Sequence, residues 1–540
     1  MLAKRGWLLL LIATAVVYFY GLGRAPFVGA DEPRYAQVAR EMFERGDAVT
    51  PTLGGYTWFE KPVLVYWTAI AGFKMFGVAE WSARLGAACA GWLTVFLVGW
   101  MAKRVEEKDG AGTSLWLQLS TGAVAATSAG LIVFSRAVNF DVFITMTVTC
   151  ALAFFLAAEL ENVGRKKRWL LAGFYAGMGA GLLAKGLIGV VIPCGIVAVY
   201  YLLRRRWPDV WKSVFWGFFI TVAVAALWYV PVITRHGWVF IDEFFIKHHF
   251  ARYLSNKYHH PQPFWFYLSI IPALMLPWSV FLAAGVYHAR RWNLRGDDAL
   301  SKLRFFALAW VLFPFIFFSV SGSKLPGYIL PVLPGAALLA GERLASFLRG
   351  EGSAAWMRAT GALMFLLAVA GLVYGVKETD LSHLCVALVT APVIAVSGYM
   401  MFAARRRERS MWVAVGVTFL TPLIIAACVL MKVSARESVR DLLREADARG
   451  YGASPVLSLH HIERTAEFYA AGRLIYDETR GEPLKFEGVG EVLKVARQRG
   501  ETILVIVPDE YVGQLLNFQF LETEVIGNNG SVVLVAVHAR

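Results

Sequence analysis

The side chains of this chain best suited to acid–base and anion chemistry gather in three stretches set between long apolar runs. The first contains Asp31-Glu32-Pro33-Arg34-Tyr35 and, further on, Trp58-Phe59-Glu60-Lys61-Pro62. Pro33 favours a first helical turn, which sets Asp31 or Glu32 at a helix N-terminus whose partial positive charge suits a carboxylate. A carboxylate there can cap the helix, act on a proton, or do both. Lys61 precedes a proline and an aromatic run, where an ammonium at headgroup height can hold a lipid phosphate; the bland alternative is an exposed Glu60–Lys61 pair of small energetic consequence. The second stretch, Ser135-Arg136-Ala137-Val138-Asn139-Phe140-Asp141, puts Asp141 at the start of an apolar run. It serves there as a cap or as a working carboxylate, because an ion at the hydrocarbon edge is costly unless solvated, paired or used.

The third stretch, from Arg235 to Gln262, carries His248, His249, Arg252, His259 and His260 among aromatics, in a chain with 10 histidines. Imidazole and carboxylate are ligands for zinc-like ions, so one or two of these histidines with a carboxylate of the first stretch make a candidate divalent-metal site. An interfacial belt of His and aromatic residues is the competing reading, since no compact His-Glu-x-x-His motif is present. Lys185, just before Gly186, and Lys324 with Tyr328 in Ser-Gly-Ser-Lys-Leu-Pro-Gly-Tyr add cations and a phenol at further boundaries. Cations from separate loops can converge on one anion.

The elements that must position these groups are membrane helices. The chain is 57% hydrophobic and 17% charged, with a mean hydropathy of +0.54, a composition outside the soluble globular range. Apolar runs long enough to cross most of the hydrocarbon fall at 7–22, 84–102, 113–133, 142–160, 169–184, 187–203, 212–233, 264–288, 304–321, 326–346, 359–376, 383–403 and 411–431, about thirteen crossings. Basic clusters at Lys4, Lys103, Arg165, Arg204, Arg290, Arg349 and Arg405 recur at every second boundary and mark the cytoplasmic side. An odd number of crossings sends the tail outside. The first run is read as a retained span, not a cleaved signal, because the acidic pair follows it directly. A net charge of +14 invites nucleic acid, but the cytoplasmic loops hold most of the excess, which topology and anionic lipids account for. Cys89, Cys150, Cys194, Cys385 and Cys428 lie in or beside spans, so neither a disulfide framework nor a metal-type spacing is expected.

The tail alternates helix and strand patterns. Residues 438–449 and 489–499 read as amphipathic helices, and 503–507 and 532–537 as buried strands. His460, His461 and Glu463 read as a polar cluster at a strand end. The expected fold is therefore membrane all-α, about thirteen transmembrane helices with amphipathic periplasmic helices, over residues 1–433, followed by a small C-terminal α/β domain over 434–540. Tyr35, Val38 and Met42 recur at helical spacing, an apolar face that could lie along the membrane surface.

The string Asp31-Glu32-Pro33-Arg34-Tyr35, then Gly46-Asp47, Thr50-Pro51 and Glu60-Lys61-Pro62, resembles the first periplasmic loop of the polyprenyl-phosphate-dependent type-C glycosyltransferases. The branch resembled is the bacterial arm of the protein O-mannosyltransferase superfamily that includes lipid A 4-amino-4-deoxy-L-arabinose transferase. The resemblance implies an inner-membrane enzyme that moves a sugar from undecaprenyl phosphate to a periplasmic acceptor. On that arm the sugar is aminoarabinose and the acceptor a lipid A phosphate. It further implies Asp31, Glu32 and Asp141 at the reaction centre, Glu60 with His248 or His249 as metal ligands, and Lys61, Arg252 and Tyr328 on the lipid phosphate. Lys185, Tyr35 and Lys324 would line the cavity. The metal would be zinc, magnesium or manganese. No Gly-rich nucleotide cradle appears, which agrees with a lipid-linked donor, membrane lipids as surroundings and no nucleic-acid partner. Another lipid-linked sugar, passed to a protein, glycan or lipid hydroxyl, is the alternative within the class. A secondary transporter is the alternative outside it, disfavoured because the ionisable residues gather at one face without a repeated half.

Overall fold

The structure, a computed structural model, describes residues 2–109, 116–206, 210–244, 246, 262–293, 296–377, 381–477 and 481–540. They form two compact units. The first comprises Met1–Tyr20, Phe59–Val65 and Arg84–Ile425; the second comprises Gly21–Trp58, Tyr66–Ala83 and Ala426–Arg540.

The first unit is helical. Among the described residues, eight helices are long and apolar enough to cross a membrane, or nine if one sharply bent pair is a single span. Among the described residues the apolar runs fall largely on helix, and some of them are broken. The run at 113–133 is two helices, Trp116–Ala126 and Ala129–Phe134, parted where Ser128 turns extended (φ −70°, ψ 129°). The run at 264–288 is Phe266–Leu274 and Ser279–Ala289, bent by 119°, with Pro277 in the break, a residue that offers no N–H to continue a helix. Hydropathy reports the length of such a run and not its course.

Several hydroxyls in these helices are satisfied locally, by the carbonyl one turn back. Thr94, Thr145 and Thr149 donate to the carbonyls of Ala90, Asp141 and Thr145 at 2.8, 2.7 and 2.6 Å. Helices Phe140–Glu159 and Arg165–Lys185 pack along each other, and a Cβ built at Gly177 would come 2.8 Å from the Ala151 Cα. Small residues permit this approach. At one end of the pair Glu161 gathers Arg104 (2.6 Å), Lys108 (3.1 Å) and Lys166 (2.7 Å). The opposite end, one 20-residue helix away, carries Asp141 and Lys185.

The second unit contains a two-residue hairpin, β1 (Thr52–Leu53) with β2 (Tyr56–Thr57), and a five-stranded mixed sheet. The sheet is built from β3 (Val456–Leu459), β4 (Lys485–Phe486), β5 (Ile503–Pro508), β6 (Leu521–Asn528) and β7 (Val532–Ala539), in the order β4-β3-β5-β7-β6. β3 runs parallel to β4 and β5, whereas β7 is antiparallel to both β5 and β6. Alternate residues of β5 feed two cores: Leu504 and Ile506 face Leu443 and Ala446, while Val505 and Val507 pack with Val492 and Leu515.

The boundary expected at 433/434 does not describe this unit, because the segment after the first helix is knitted to the tail. Phe27 donates its N–H to the Tyr469 hydroxyl at 2.7 Å and sets its ring edge-on to Phe468 at 4.8 Å. Arg440 reaches Glu80 at 3.4 Å. The apolar face of helix Asp31–Glu44 is buried, with Val38 at 0% and Met42 at 1% exposure. That face packs against the helix Ala466–Tyr469 inside the unit. Amphipathic periodicity identifies a face to be covered but not what covers it. Cys89, Cys150 and Cys194 are free thiols, whereas Cys385 and Cys428 are disulfide-bonded, which the sequence reading did not anticipate.

Candidate active site

In the first unit three of the expected residues meet. Helix Phe140–Glu159 is capped by Asn139, whose Oδ1 accepts from the Val142 N–H at 2.9 Å. The cap role considered for Asp141 is thus taken, and its carboxylate is left for another partner. Asp141 Oδ1 accepts a hydrogen bond from Lys185 Nζ. Both side chains are largely shielded, at 18% and 14% exposure. Lys185 is the last residue of its helix, and the chain turns away through Gly186 at φ +74° and ψ −147°, a conformation that glycine enters readily. The same ammonium lies 4.7 Å from the centre of the Tyr328 ring, a cation–π distance.

Tyr328 is carried by the short 3₁₀ segment Pro326–Val332. Its neighbour Gly327 has no room for a side chain: a Cβ would overlap the Asp141 carboxylate and come 2.8 Å from the Phe134 ring. Lys324 uses its ammonium on two backbone carbonyls, Ser321 at 2.7 Å and Gln262 at 2.9 Å. It ties the segment in place. Tyr267, which sequence reasoning passed over, donates to the Leu325 carbonyl at 3.1 Å.

Glu60 and Lys61 also belong to the first unit and pair at 3.1 Å, with side chains 15% and 13% exposed. They are not the solvated pair of the bland reading. Phe59, beside them, packs edge-on against His236 at 5.0 Å and Phe240 at 5.2 Å. His248, His249 and Arg252 lie outside the described residues. Among the described residues no group of three His, Cys, Asp or Glu is placed to hold a metal ion; Glu60 is the described member of the expected ligand set.

Asp31, Glu32 and Tyr35 stand in the second unit. Helix Asp31–Glu44 starts after Ala30, which offers no side-chain cap. Asp31 is therefore its first residue and not its cap, with its side chain 65% exposed and its carboxylate 3.9 Å from Arg34. Glu32 and Tyr35 are buried at 7% and 6% exposure. Arg34 also approaches the fully buried Glu467 at 3.5 Å and lies 5.3 Å from the Trp58 ring centre. Arg464 meets Glu467 at 2.8 Å. Burial pushes the Glu467 carboxyl up despite the opposing pull of Arg34 and Arg464. Neither Glu467 nor Glu41 was singled out from sequence. Glu41 accepts from Thr52 Oγ1 (2.6 Å) and the Gly54 N–H (2.7 Å) and so holds the hairpin to the helix. The only signal for either was an acidic residue within an otherwise apolar helix face.

The polar residues after β3 behave as a strand-end cluster. His460, at φ +63°, hydrogen-bonds Gln514 at 3.0 Å and Glu487 at 3.3 Å. Glu463 turns instead to Thr465, whose N–H and hydroxyl it accepts at 3.0 and 2.8 Å.

A carboxylate, an ammonium and a phenol held together at one end of a helix bundle can orient a hydroxylic or anionic group and stabilise charge that moves between carbon and phosphate. Residues 7–241 match the family described as dolichyl-phosphate-mannose-protein mannosyltransferase. The undecaprenyl phosphate-alpha-4-amino-4-deoxy-L-arabinose arabinosyl transferase of Pseudomonas paraeruginosa is 34% identical over 346 residues, covering 63% of this chain and 60% of that protein. The enzyme of the same name from Edwardsiella ictaluri is 31% identical over 62% of this chain and 59% of its own length. The chain thus spans about 60% of the length of the curated relatives it matches. Among solved structures, ArnT from Cupriavidus metallidurans bound to undecaprenyl phosphate has the same fold, with a TM-score of 0.78, 24% identity and 98% of each chain covered. Residues 7–241 are thus similar to the protein mannosyltransferase family, the chain is similar to the arabinosyl transferases over about 60% of its length, and its fold is that of the solved ArnT.

Proposed function

We propose that this protein transfers 4-amino-4-deoxy-L-arabinose from undecaprenyl phosphate to a phosphate of lipid A at the periplasmic face of a bacterial inner membrane. The observation that carries the proposal is the Asp141, Lys185 and Tyr328 grouping at one end of the bundle, in a chain whose curated relatives are named for that transfer. Sidedness follows from the charge pattern. Arg104, Lys108 and Lys166 gather at the far end of the same helices, and basic clusters stay cytoplasmic. The thirteen crossings read from the sequence, an odd number, would bring the tail to the periplasm.

In this reading an oxygen of the lipid A phosphate bonds to the anomeric carbon as the bond from that carbon to the donor phosphate breaks, and negative charge grows on the leaving undecaprenyl phosphate. Lys61, Arg252, Tyr328 and Lys185 would receive that charge, which fixed cations do well in a site with little water. In the first unit Asp141 would orient the acceptor or take its proton; Asp31, with Glu32 next to it in the second unit, is the alternative carboxylate for that role. An ionised lipid A phosphate needs little help of that kind. Lys324, bound to two backbone carbonyls, holds the segment that carries Tyr328. Glu60 with His248 or His249 would hold a divalent ion, which supplies positive charge beside the leaving phosphate. Mass spectrometry of lipid A and envelope glycans from cells with and without the protein tests the proposal. A lipid A that gains aminoarabinose only when the protein is present is the expected result. An unchanged lipid A with a changed glycan would replace the acceptor.

A further inference from the structure

The first unit contains a second place suited to a ligand, on helices that contribute nothing to the residues above. Helices His383–Phe402 and Arg407–Cys428 carry an open, shallow pocket of about 620 Å³ lined by Tyr399, Glu408, Arg409, Trp412 and Val413. That volume suits a small-molecule or headgroup site. The basic run at 405–409 does not all face it. Arg407 is turned inward, donating to the Phe347 carbonyl and, at 3.2 Å, to that of Gly352. Its guanidinium also lies 5.0 Å from the Phe347 ring centre. Glu408 and Arg409 are exposed at the cavity wall. Among the described residues neither enters an ion pair, with each other or with anything else. Successive helical residues point about 100° apart, so their charges remain separate on one wall.

Three further features limit what fits. Tyr399 and Trp412 are half-buried rings on opposite helices, a setting that attracts an ammonium through its π faces. Val413 supplies an apolar wall. Gly416, one turn beyond Trp412 on the same face, is exposed, and a Cβ there would meet nothing within 4 Å. The helix surface is open there, with room for a chain to lie along it. A simple anion would meet the Glu408 carboxylate as well as Arg409, and an uncharged apolar molecule would leave both charges unused.

We infer that this cavity seats one zwitterionic phospholipid from the cytoplasmic leaflet. Arg409 holds its phosphate, while Glu408 with the Tyr399 and Trp412 rings receives its ammonium, and an acyl chain runs along Val413 and past Gly416. The position at the ends of two spanning helices, beside a basic run, matches the headgroup level of the cytoplasmic side. The inference stands apart from the transferase reading and survives its failure.

The test uses the full chain, purified in mild detergent and mixed with equal amounts of phosphatidylethanolamine and phosphatidylglycerol, with retained lipid counted by native mass spectrometry. Wild-type protein is expected to keep phosphatidylethanolamine in preference. Arg409→Gln should lower retention of both lipids about tenfold, the loss expected of one charge-assisted hydrogen bond. Glu408→Gln should abolish the preference while phosphatidylglycerol is still held. Gly416→Leu, which leaves the charges intact and occupies the open surface at that turn, should release both lipids, and an unchanged thermal midpoint marks each variant as folded. The inference is overturned if wild type keeps phosphatidylglycerol equally or better, or if Glu408→Gln retains the preference. Displacement of bound lipid by millimolar inorganic phosphate would overturn it too, because that outcome describes a site for a free anion.

Discussion

Lys185 donates from Nζ to the carboxylate of Asp141, joining the last residue of one helix to the first turn of the helix packed against it. Asn139 has already capped that second helix, so the carboxylate is not needed for the local fold. A pair kept at the hydrocarbon edge without a structural duty is best explained by use. Asp141→Asn keeps the shape and removes the charge. It should lower transfer from the lipid-linked donor about 100-fold or more while the protein elutes and unfolds as wild type does. Lys185→Met should do the same, and the double variant should be little worse than either single one, because groups that act as a unit are not additive. A folded Asp141→Asn protein that forms product at the normal rate would remove the pair from the chemistry.

Gly327 offers a test that alters no charge. A methyl group at this position would run into the Asp141 carboxylate and the Phe134 ring. Gly327→Ala should therefore shift Asp141 away from Lys185 and cost activity about tenfold or more. Overpacking of this kind costs roughly 1–3 kcal/mol of stability. Activity assayed alongside the thermal midpoint separates the two effects: a displaced carboxylate lowers the catalytic rate of protein that is still folded, whereas general loosening would lower the midpoint alone.

Much of this arrangement was legible in the chain. Apolar length placed the helices, and the residue types at span ends pointed to Asp141, Lys185 and Tyr328. What could not be read was the partner of each group. Nothing in the sequence near Asp141 says that Asn139 caps in its place, because either residue can cap and the backbone decides. Nothing near Arg34 announces Glu467, more than 400 residues away; a pair formed by tertiary packing leaves no periodic trace. The grouping of residues 21–58 with the tail follows from such pairs, so a boundary drawn from hydropathy at 433 missed it. The 119° bend was equally hidden, since one apolar run describes both a straight span and a broken one.

The burial of Glu467 predicts a pH effect in the second unit. Glu467 is fully buried, and burial raises its carboxyl above the ordinary glutamate value. The folded protein therefore binds this proton more tightly than the unfolded chain does. The stability so gained is complete below the unfolded carboxyl value of about 4.3 and is lost as pH rises through the higher folded value. Glu467→Gln is neutral throughout and should flatten that part of the curve of unfolding midpoint against pH. Glu467→Ala should be the more damaging change, costing roughly 2–5 kcal/mol because it leaves a void in the core and removes the carboxylate that Arg464 meets. Identical pH slopes for wild type and Glu467→Gln would show that this carboxyl does not titrate with folding.

Glu60 and Lys61 are adjacent, largely shielded and paired at 3.1 Å, yet the proposed roles differ, and the difference can be measured. A carboxylate that holds a metal should lose the ion when removed, whereas an ammonium that holds the donor phosphate should lose affinity for the donor. Elemental analysis of purified protein should find a divalent ion in wild type and in Lys61→Ala, and little or none in Glu60→Ala combined with His248→Ala. Transfer assays should show Lys61→Ala losing activity about 100-fold or more, with excess donor restoring part of it if the loss is in binding. Chelator should depress wild-type activity and added zinc or manganese restore it. A wild-type protein that carries no ion and ignores chelator would leave Glu60 as the partner of Lys61, with the cations alone receiving the charge of the leaving phosphate.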